Sequence, residues 1–381
     1  MGLSILIAGD YCPKGRVVPL LGKNCILSGE LSAIIKDCDA SIVNLECPVV
    51  TEGEKPIIKE GPNLSCSSIA ITELASMGFN VATLANNHIR DYGSKGIIES
   101  INTCKCYSIQ TVGAGRNFED AARFLLLSQK GVKVAIINCC EHEYSVPLGE
   151  YYGANALDPV RQYKAIQKAK EEADYIMVVV HGGIETYQLP TPRMKEIYRF
   201  FIDAGADAVI NHHQHCYSGY EVYKNKPIFY GLGNFCFDWP GYSGDTWYEG
   251  YMVQLNFNDG GISFDVYPYI QCKEKPEVVS MNKNETKLFK KRILELNTII
   301  QDDVALKDNL NAFVNSKRLD YQSIFEPYSG RVLNGLFWRH LLPSTLSNKR
   351  ILKLLDYIGC ESHHESVMNY LYSKYNEIKD E

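Results

Sequence analysis

The sequence predicts an α/β fold whose functional groups collect where strands end. Short apolar runs alternate with amphipathic helical patterns over most of the chain, an order typical of α/β proteins. Several runs pass directly into carboxylate, amide or imidazole side chains, and α/β folds bind their ligands at the carboxyl ends of strands. Beyond about residue 273 the strand signals fade and helical periodicity remains. We therefore expect a helical extension there.

Composition and charge exclude several classes of protein. The chain has 381 residues, 45% hydrophobic and 22% charged, which suits two or three ordinary domains or one large α/β domain with an extension. The net charge is −6 and no long block of lysine or arginine occurs, so we expect no nucleic-acid partner. We expect no membrane span, because no run of about 18 apolar residues occurs. The 13 cysteines lack the spacing of a disulfide scaffold, which favours reduced thiols and a cytoplasmic protein.

Turn residues and hydrophobic periodicity predict the individual elements. Strands are predicted at residues 3–8, 40–45, 79–85, 109–112, 123–127, 133–139, 175–180 and 207–210. Two hairpins are predicted after them, at 220–223 with 227–230 and at 251–257 with 262–269. Helices are predicted at 28–37, 67–77, 96–104, from 159, and at 192–204, 286–300 and 349–357. The polar segment 51–63 is predicted to be a loop over the strand ends and is a candidate lid.

Five predicted strand ends carry six residues that can bind hard or borderline metal ions. These residues are Asp10, Glu46, Asn87, His181, His213 and His215. Taken singly, each has an ordinary alternative: a turn carboxylate, a solvated carboxylate, a helix cap or a histidine hydrogen-bonded within the sheet. Their repetition at strand after strand favours a shared site over six unrelated roles.

The histidine-rich segment 211–215 is the densest of these groups. His213 and His215 are two residues apart, so in extended backbone both side chains fall on one face. Imidazole is the commonest metal ligand near neutral pH. The alternative for this segment alone is a polar loop with chance histidines. His212 is expected to be a structural neighbour.

A pair of divalent ions explains why these residue types occur together. Such a centre needs a bridging carboxylate, neutral imidazoles and a carboxamide or second carboxylate oxygen. Cys12 could add a thiolate for a soft metal, or be an ordinary buried cysteine. His88, with Asp91 three residues later, is a candidate catalytic pair that protonates a leaving group or stabilises an anion. Arg16 and Arg90 are candidates either for binding an anionic substrate or for surface salt bridges.

In order and spacing, these motifs resemble the CapA family, named for capsule and poly-γ-glutamate biosynthesis, within the calcineurin-like metallophosphoesterase superfamily. The resemblance covers roughly residues 3 to 270. The motifs are Gly9-Asp10 with Arg16, Asn44-Leu45-Glu46, Ala85-Asn86-Asn87-His88 with Asp91-Tyr92-Gly93, His181-Gly182-Gly183-Ile184-Glu185, residues 205–210 with His213 and His215, and Leu232-Gly233-Asn234-Phe235.

The resemblance implies a four-layer αββα sandwich of the metallophosphoesterase type with a C-terminal helical extension. It implies that Asp10 and His215 bind a first metal ion and that Glu46 bridges to a second. Asn87, His181 and His213 would hold the second ion, and His88 would be the acid or anion stabiliser. Glu185 and Asn234, together with the two arginines, are then the candidates for substrate binding.

The chain departs from the resembled pattern at three positions. The wider superfamily has Asp-x-His at the first motif, where this chain has Asp10-Tyr11-Cys12, so the first metal site is expected to be weak or empty. The superfamily has Asp where this chain has Glu46. Gly182 replaces the usual tryptophan of CapA proteins and is expected to open that side of the pocket.

Two functions are therefore expected, together with a two-part chain. The first is a hydrolase of a phosphoester, or a related ester or amide, that uses one or two divalent ions (Mn, Fe, Zn or Mg) on an anionic small molecule or polymer. The alternative is a non-catalytic component of polyglutamate or polysaccharide assembly that binds an anionic polymer.

The chain is expected to have two parts. Residues 1–273 would form the CapA domain and 274–381 the helical extension. A homo-oligomer or a synthase partner is expected, with 337–338 and 341–342 as a contact stripe or as ordinary core.

Overall fold

Two β-sheets face each other in the first of two units of the chain. The computed structural model describes residues 2–146, 152–239, 244–258, 260–328 and 330–380. The chain divides into a unit at Met1–Lys307 and a second at Asp308–Glu381. The strands are β1 (Leu3–Tyr11), β2 (Ala40–Leu45), β3 (Val81–Thr83), β4 (Gln110–Val112), β5 (Ala114–Gly115), β6 (Leu125–Gln129), β7 (Val132–Cys140), β8 (Gly153–Ala154), β9 (Tyr175–His181), β10 (Ala208–His212), β11 (Tyr220–Tyr223), β12 (Lys226–Phe229), β13 (Asn234–Cys236), β14 (Glu249–Asn258), β15 (Gly261–Gln271) and β16 (Val278–Ser280).

Helices flank the sheets and make up the second unit. They are α1 (Gly29–Asp37), α2 (Ser68–Met77), α3 (Gly93–Cys106), α4 (Phe118–Ala121), α5 (Pro159–Ala169), α6 (Pro192–Ala204), α7 (Asp245–Tyr248), α8 (Lys283–Gln301), α9 (Asp303–Ser316), α10 (Arg318–Ile324), α11 (Gly330–Trp338), α12 (Asn348–Gly359) and α13 (Glu361–Asp380). Among the described residues, no helix is both long and apolar enough to cross a bilayer.

The strand order brings several carboxyl ends to one region. The first sheet runs β16-β15-β14-β1-β2-β3-β4, and β13 also pairs with β1. Within it, β1 to β4 are mutually parallel. The second sheet runs β11-β12-β10-β9-β7-β6, with β7, β9, β10 and β12 parallel. Parallel neighbours end on the same side of a sheet, so loops from both sheets can build one site.

Successive side chains of a strand face opposite sides of its sheet, and this alternation produces a four-layer sandwich. Ile5 and Ile7 of β1 face a core shared with Val134, Met177 and Ile210 of the second sheet. The intervening side chains of β1 pack in a different core, together with apolar residues of α1, α2 and α3. Helices α5 and α6 pack against β7 and β10 on the far side of the second sheet. The predicted αββα arrangement is therefore confirmed.

Asn138 of β7 joins the two sheets. Its Oδ1 accepts hydrogen bonds from the backbone N–H groups of Leu84 (3.1 Å) and Ala85 (2.7 Å), which follow β3. The Leu84 N–H also donates to the carbonyl of Val112 at 2.8 Å. Strand β3 ends at Thr83, short of the predicted 79–85. Gly113 makes room for the contact, since a Cβ there would lie 1.9 Å from Asn138 Oδ1.

The first unit extends beyond residue 273. Strand β16 joins the first sheet. Helix α8 begins at a capping box formed by Asn282 and Glu285 and buries Phe289 and Ile293 in the core between the sheets. Beyond Lys307 the described chain is helical, and there Phe337 is buried, whereas Trp338 and Leu341 are 48% and 66% exposed.

Candidate metal centre

The six predicted metal-binding side chains lie together at the strand ends. Asp10, Glu46 and Asn87 come from the first sheet, and the histidines at 181, 213 and 215 from the second. None of the six is more than 6% exposed. Charged and imidazole groups are rarely buried to this degree without partners. Within the described residues, the ligand atoms form two overlapping groups, each lying within 4.8 Å of one another: Glu46 with His181 and His213, and Asp10 with Glu46 and His215.

Glu46 belongs to both groups and lacks any other partner. Both carboxylate oxygens are buried, and neither has a hydrogen-bond partner within the described chain. Burial raises the pKa of Glu46 well above its ordinary value, and the neighbouring Asp10 carboxylate raises it further. A buried carboxylate left unpaired is strongly unfavourable, whereas a divalent cation between its oxygens and the imidazoles would satisfy it. The donor set therefore fits a metal centre with Glu46 as the shared ligand.

The group around His181 and His213, here called the second position, has convergent neutral ligands. His181 Nε2 lies 3.0 Å from His213 Nδ1 and 3.0 Å from Asn87 Oδ1, and 3.6 Å from a Glu46 oxygen. Burial lowers the pKa of His213 to about 3, with a contribution from His215, so its imidazole is neutral near pH 7. Neutral imidazole is the form that binds metals.

The group around Asp10 and His215, here called the first position, is richer in oxygen. Asn234 Oδ1 lies 2.9 Å from His215 Nδ1, which fixes that imidazole with Nε2 3.4 Å from Glu46. Asp10 Oδ2 is 3.7 Å from the same ring. Asn234 was predicted to bind substrate; in the structure it is fully buried and orients His215.

Cys12 is part of neither ligand group in the described chain. It is fully buried in the core between the first sheet and its helices, and its backbone N–H donates to the carbonyl of Cys236 at 3.0 Å. Burial raises the pKa of the neighbouring Cys47 thiol, and contact with Cys12 raises it further. Of the two alternatives for Cys12, the geometry favours the ordinary buried cysteine.

Two of the histidines have backbone conformations that are rare outside glycine. His213 has φ = 93° and His215 has φ = 53°. Such residues cost about 1–3 kcal/mol each and cluster at functional sites. The His213 N–H is directed at Asp10 Oδ2, 3.3 Å away. His212, by contrast, reaches the carbonyl of Ala8 through Nε2 at 3.0 Å, the structural role expected of it.

Asn44 connects ligands from the two sheets, a role that sequence reasoning missed. Its Nδ2 donates to Asp10 Oδ1 at 2.7 Å and lies 3.2 Å from His181 Nδ1. Its Oδ1 accepts from Thr83 Oγ1 at 3.3 Å. The only signal in the sequence was the position of Asn44 two residues before Glu46.

The predicted His88–Asp91 pair is formed, and a buried lysine accompanies it. His88 Nδ1 lies 2.7 Å from Asp91 Oδ2. Lys59 Nζ is 2.5 Å from Asp91 Oδ1 and 3.1 Å from His88 Nδ1, and its side chain is only 4% exposed. Burial lowers the pKa of His88, against the raising effect of Asp91, so the neutral imidazole is favoured. Lys59 comes from the loop predicted to cover the strand ends, but nothing in the sequence singled it out.

The remaining candidate residues are Arg16, Arg90 and Glu185, which were expected to bind substrate. Arg16 is committed to Asp238, with bonds of 2.9 to 3.3 Å from its guanidinium to that carboxylate, and to backbone carbonyls near residue 273. Arg90 lies 3.4 Å from the carbonyl of Tyr144, in the loop after β7. Glu185 is exposed, close enough to the centre to raise the pKa of Glu46.

Gly182 does not leave an open pocket wall. A Cβ at this position would lie 2.8 Å from side-chain atoms of Glu141, whose carboxylate accepts a hydrogen bond from the Gly183 N–H at 3.2 Å. The Glu141 side chain therefore occupies the space that the sequence suggested would be free. Burial raises the pKa of Glu141.

Comparison with known proteins identifies relatives of this chain. Residues 4–239 match the family model described as bacterial capsule synthesis protein PGA_cap. A capsule biosynthesis protein CapA of Bacillus anthracis is 34% identical over 266 residues, covering 67% of this chain and 64% of that protein. A PGA biosynthesis protein CapA of Bacillus subtilis (strain 168) is 30% identical over 213 residues, covering 54% and 55%. The chain thus spans less than two thirds of the length of these relatives.

Solved structures show more distant likenesses. A hypothetical protein from Thermus thermophilus matches with a TM-score of 0.44 at 18% identity, covering 70% of this chain and 99% of that one. A 5'-nucleotidase from Candida albicans SC5314 matches with a TM-score of 0.40 at 10% identity, covering 83% and 57%. The family model alone covers well over half of the chain and includes every proposed metal ligand. The chain belongs to the bacterial capsule synthesis protein family PGA_cap.

Proposed function

We propose that this protein is a metal-dependent hydrolase of the CapA type, acting on a phosphoester or a related ester or amide bond. The observation that carries the proposal is Glu46: a fully buried carboxylate, without a hydrogen-bond partner in the described chain, shared by two groups of ligand atoms. A carboxylate in this setting suits a bridge between two divalent cations. The links to capsule or poly-γ-glutamate metabolism and to an anionic substrate come from the family and from the names of its relatives.

The residues divide into ligands and proton-handling groups. Asp10, Glu46 and His215 would hold one ion, and Glu46 with Asn87, His181 and His213 the other. Divalent ions in such a centre polarise the scissile bond and provide a nucleophile from water at neutral pH. His88, fixed by Asp91, would hydrogen-bond the leaving group or the developing anion. Lys59 Nζ lies beside this pair, 2.5 Å from Asp91 Oδ1.

The test combines metal analysis with hydrolysis assays. Protein purified without chelators is analysed for Mn, Fe, Zn and Mg, then assayed with p-nitrophenyl phosphate, bis(p-nitrophenyl) phosphate and γ-glutamyl-p-nitroanilide. We expect bound metal, and turnover that is lost on chelation and in Glu46→Gln and His213→Ala. Lys224→Ala, which removes an exposed surface ion pair, serves as a control and should keep full activity. A protein without metal, or one whose turnover is unchanged in both variants, would refute the proposal.

A non-catalytic role is the second candidate, and the first position favours it. Cys12 stands where the wider superfamily has a histidine, and its thiol packs in the core. A relative from Mycobacterium tuberculosis, 29% identical over 238 residues, is named as a probable polyglutamine synthesis accessory protein. For this role, poly-γ-glutamate would bind equally well before and after metal removal, and the protein would be retained by synthase subunits. Loss of polymer binding on chelation would argue against it.

Self-association is proposed for the second unit. Among its described residues, Trp338, Leu341, Leu352 and Leu355 are between 48% and 67% exposed. Exposed apolar side chains in this number are typical of contact surfaces. Light scattering measures the number of protomers per particle for the full chain and for a chain ending at Lys307. We expect this number to be larger for the full chain. Equal protomer numbers would exclude the role.

A further inference from the structure

We propose that Glu143 is a positioning residue that orients two ligands at the second position, His213 and Asn87. The proposal rests on the metal centre proposed above. Glu143 lies in the loop after β7, next to the strand that carries His181. It belongs to none of the motifs that carried the family resemblance. Its position after the predicted strand 133–139 did not single it out, because its partners are about 55 and 70 residues away along the chain.

The first contact concerns His213. Its Nδ1 lies 3.0 Å from His181 Nε2 and so faces the point where the ligand atoms converge. Its other nitrogen, Nε2, lies 3.7 Å from a Glu143 carboxylate oxygen. The Glu143 side chain is 41% exposed, so a small rotation brings these atoms to hydrogen-bonding distance. An Nε2–H donated to this carboxylate leaves Nδ1 unprotonated and free to ligate.

The second contact concerns Asn87. Its Oδ1 lies 3.0 Å from His181 Nε2, at the same convergence point. The side-chain amide of Asn87 lies close enough to Glu143 to lower the pKa of that carboxyl group, which partly offsets the raising effect of burial. An ionised carboxylate only accepts hydrogen bonds, so it must face the NH₂ end of the amide. The oxygen end is then directed at the metal position.

One carboxylate thus sets the orientation of both a histidine and an asparagine. Hydrogen-bonded partners of this kind raise the basicity of ligating imidazoles and reduce their freedom to rotate. Glu185 is the natural comparison, because both carboxylates raise the pKa of Glu46 through their charge, whereas no contact between Glu185 and a metal ligand is seen in the described chain. Comparing variants of the two residues therefore separates the effect of ligand orientation from the effect of negative charge near the centre.

The experiment titrates Co²⁺ into the metal-stripped full chain, with calorimetry for affinity and visible absorption for ligand geometry. Wild type, Glu143→Ala, Glu143→Gln and Glu185→Gln are compared, with circular dichroism as the folding control. We expect Glu143→Ala to weaken one Co²⁺ site by about 10–100-fold and to shift its absorption bands. Glu143→Gln retains an acceptor oxygen, so it should recover part of the affinity. Glu185→Gln should change affinity by less than about threefold.

The outcomes separate this inference from the proposed function. If wild type binds Co²⁺ and Glu143→Ala binds it equally well, Glu143 has no positioning role and the metal centre stands. Equal losses of Co²⁺ affinity in Glu143→Ala and Glu185→Gln, without a change in the absorption spectrum, would show that only the charge of Glu143 matters. This result would also overturn the inference. If wild type binds neither Co²⁺ nor any other ion, both the metal centre and the role of Glu143 are refuted.

Discussion

The two proposed metal positions share Glu46 but differ in the rest of their candidate ligands. The second position adds two imidazoles and an amide oxygen, and the first adds one imidazole and one carboxylate. Nitrogen-rich sites suit Zn²⁺ and Fe²⁺, whereas sites dominated by carboxylate suit Mg²⁺ and Mn²⁺. With Cys12 packed in the core, the first position also has fewer ligands. One buried carboxylate can therefore serve two sites of unequal strength, and we expect the second to bind more tightly.

Glu46→Gln should have the largest effect, because it removes the ligand common to both positions. We expect both affinities to fall and hydrolysis to drop by about a thousandfold, equivalent to about 4 kcal/mol of transition-state stabilisation. Without metal, the variant should melt above wild type, since it no longer buries an unpaired carboxylate. In saturating Mn²⁺ the order of melting temperatures should reverse.

Glu73→Gln is the matched control for that prediction. Glu73 is equally buried, but its carboxylate accepts a hydrogen bond from the Gly22 N–H at 2.7 Å. We expect Glu73→Gln to melt below wild type with and without metal. If Glu46→Gln behaves like Glu73→Gln, the shared-ligand interpretation fails.

His213→Ala and His215→Ala should separate the two positions. Each variant removes one imidazole from one group, so each should weaken its own site by about a hundredfold, or about 2.7 kcal/mol, and affect the other less. Calorimetric titration with Zn²⁺ and Mn²⁺ measures both sites. We expect the His213 variant to lose the tighter site and the His215 variant the weaker one. Loss of the same site in both variants would show that the positions are not distinct.

Asn234→Ala should have a smaller effect, limited to the first position. Asn234 Oδ1 fixes His215 but does not reach the ligand groups, so the loss should be about tenfold at the first site and negligible at the second. The same titration measures it. Asn234→Asp, which keeps an acceptor oxygen, should bind nearly as well as wild type. A loss at the second site would contradict this account of Asn234.

Cys12→Ser should have the smallest effect on metal binding. The thiol packs with core residues and lies in neither ligand group of the described chain, so we expect less than a twofold change in either affinity. Stability should fall modestly, because a hydroxyl replaces a fully buried thiol. A tenfold loss of Zn²⁺ affinity at the first site would instead identify Cys12 as a thiolate ligand.

The fold class and the six strand-end side chains could be predicted because they depend on local patterns. Apolar runs locate the strands, and the residue after each run then lies at a sheet end. Lys59, Asn44 and Glu143 could not be found this way, since their partners are brought close only by packing. Arg16 shows the same limit, as its partner Asp238 is 222 residues away along the chain. The extent of the first unit also escaped prediction, because helical periodicity does not reveal that Phe289 and Ile293 of α8 belong to the core between the sheets.

The amide of Asn138 has a consequence for how the sandwich opens. It covers the N–H groups of Leu84 and Ala85 in one sheet while its own Nδ2 donates to Val179 in the other. These bonds break only when the end of β3 separates from Asn138 of β7. Hydrogen exchange at the two amides therefore requires separation of both layers, so their exchange rates should report the global unfolding of the sandwich.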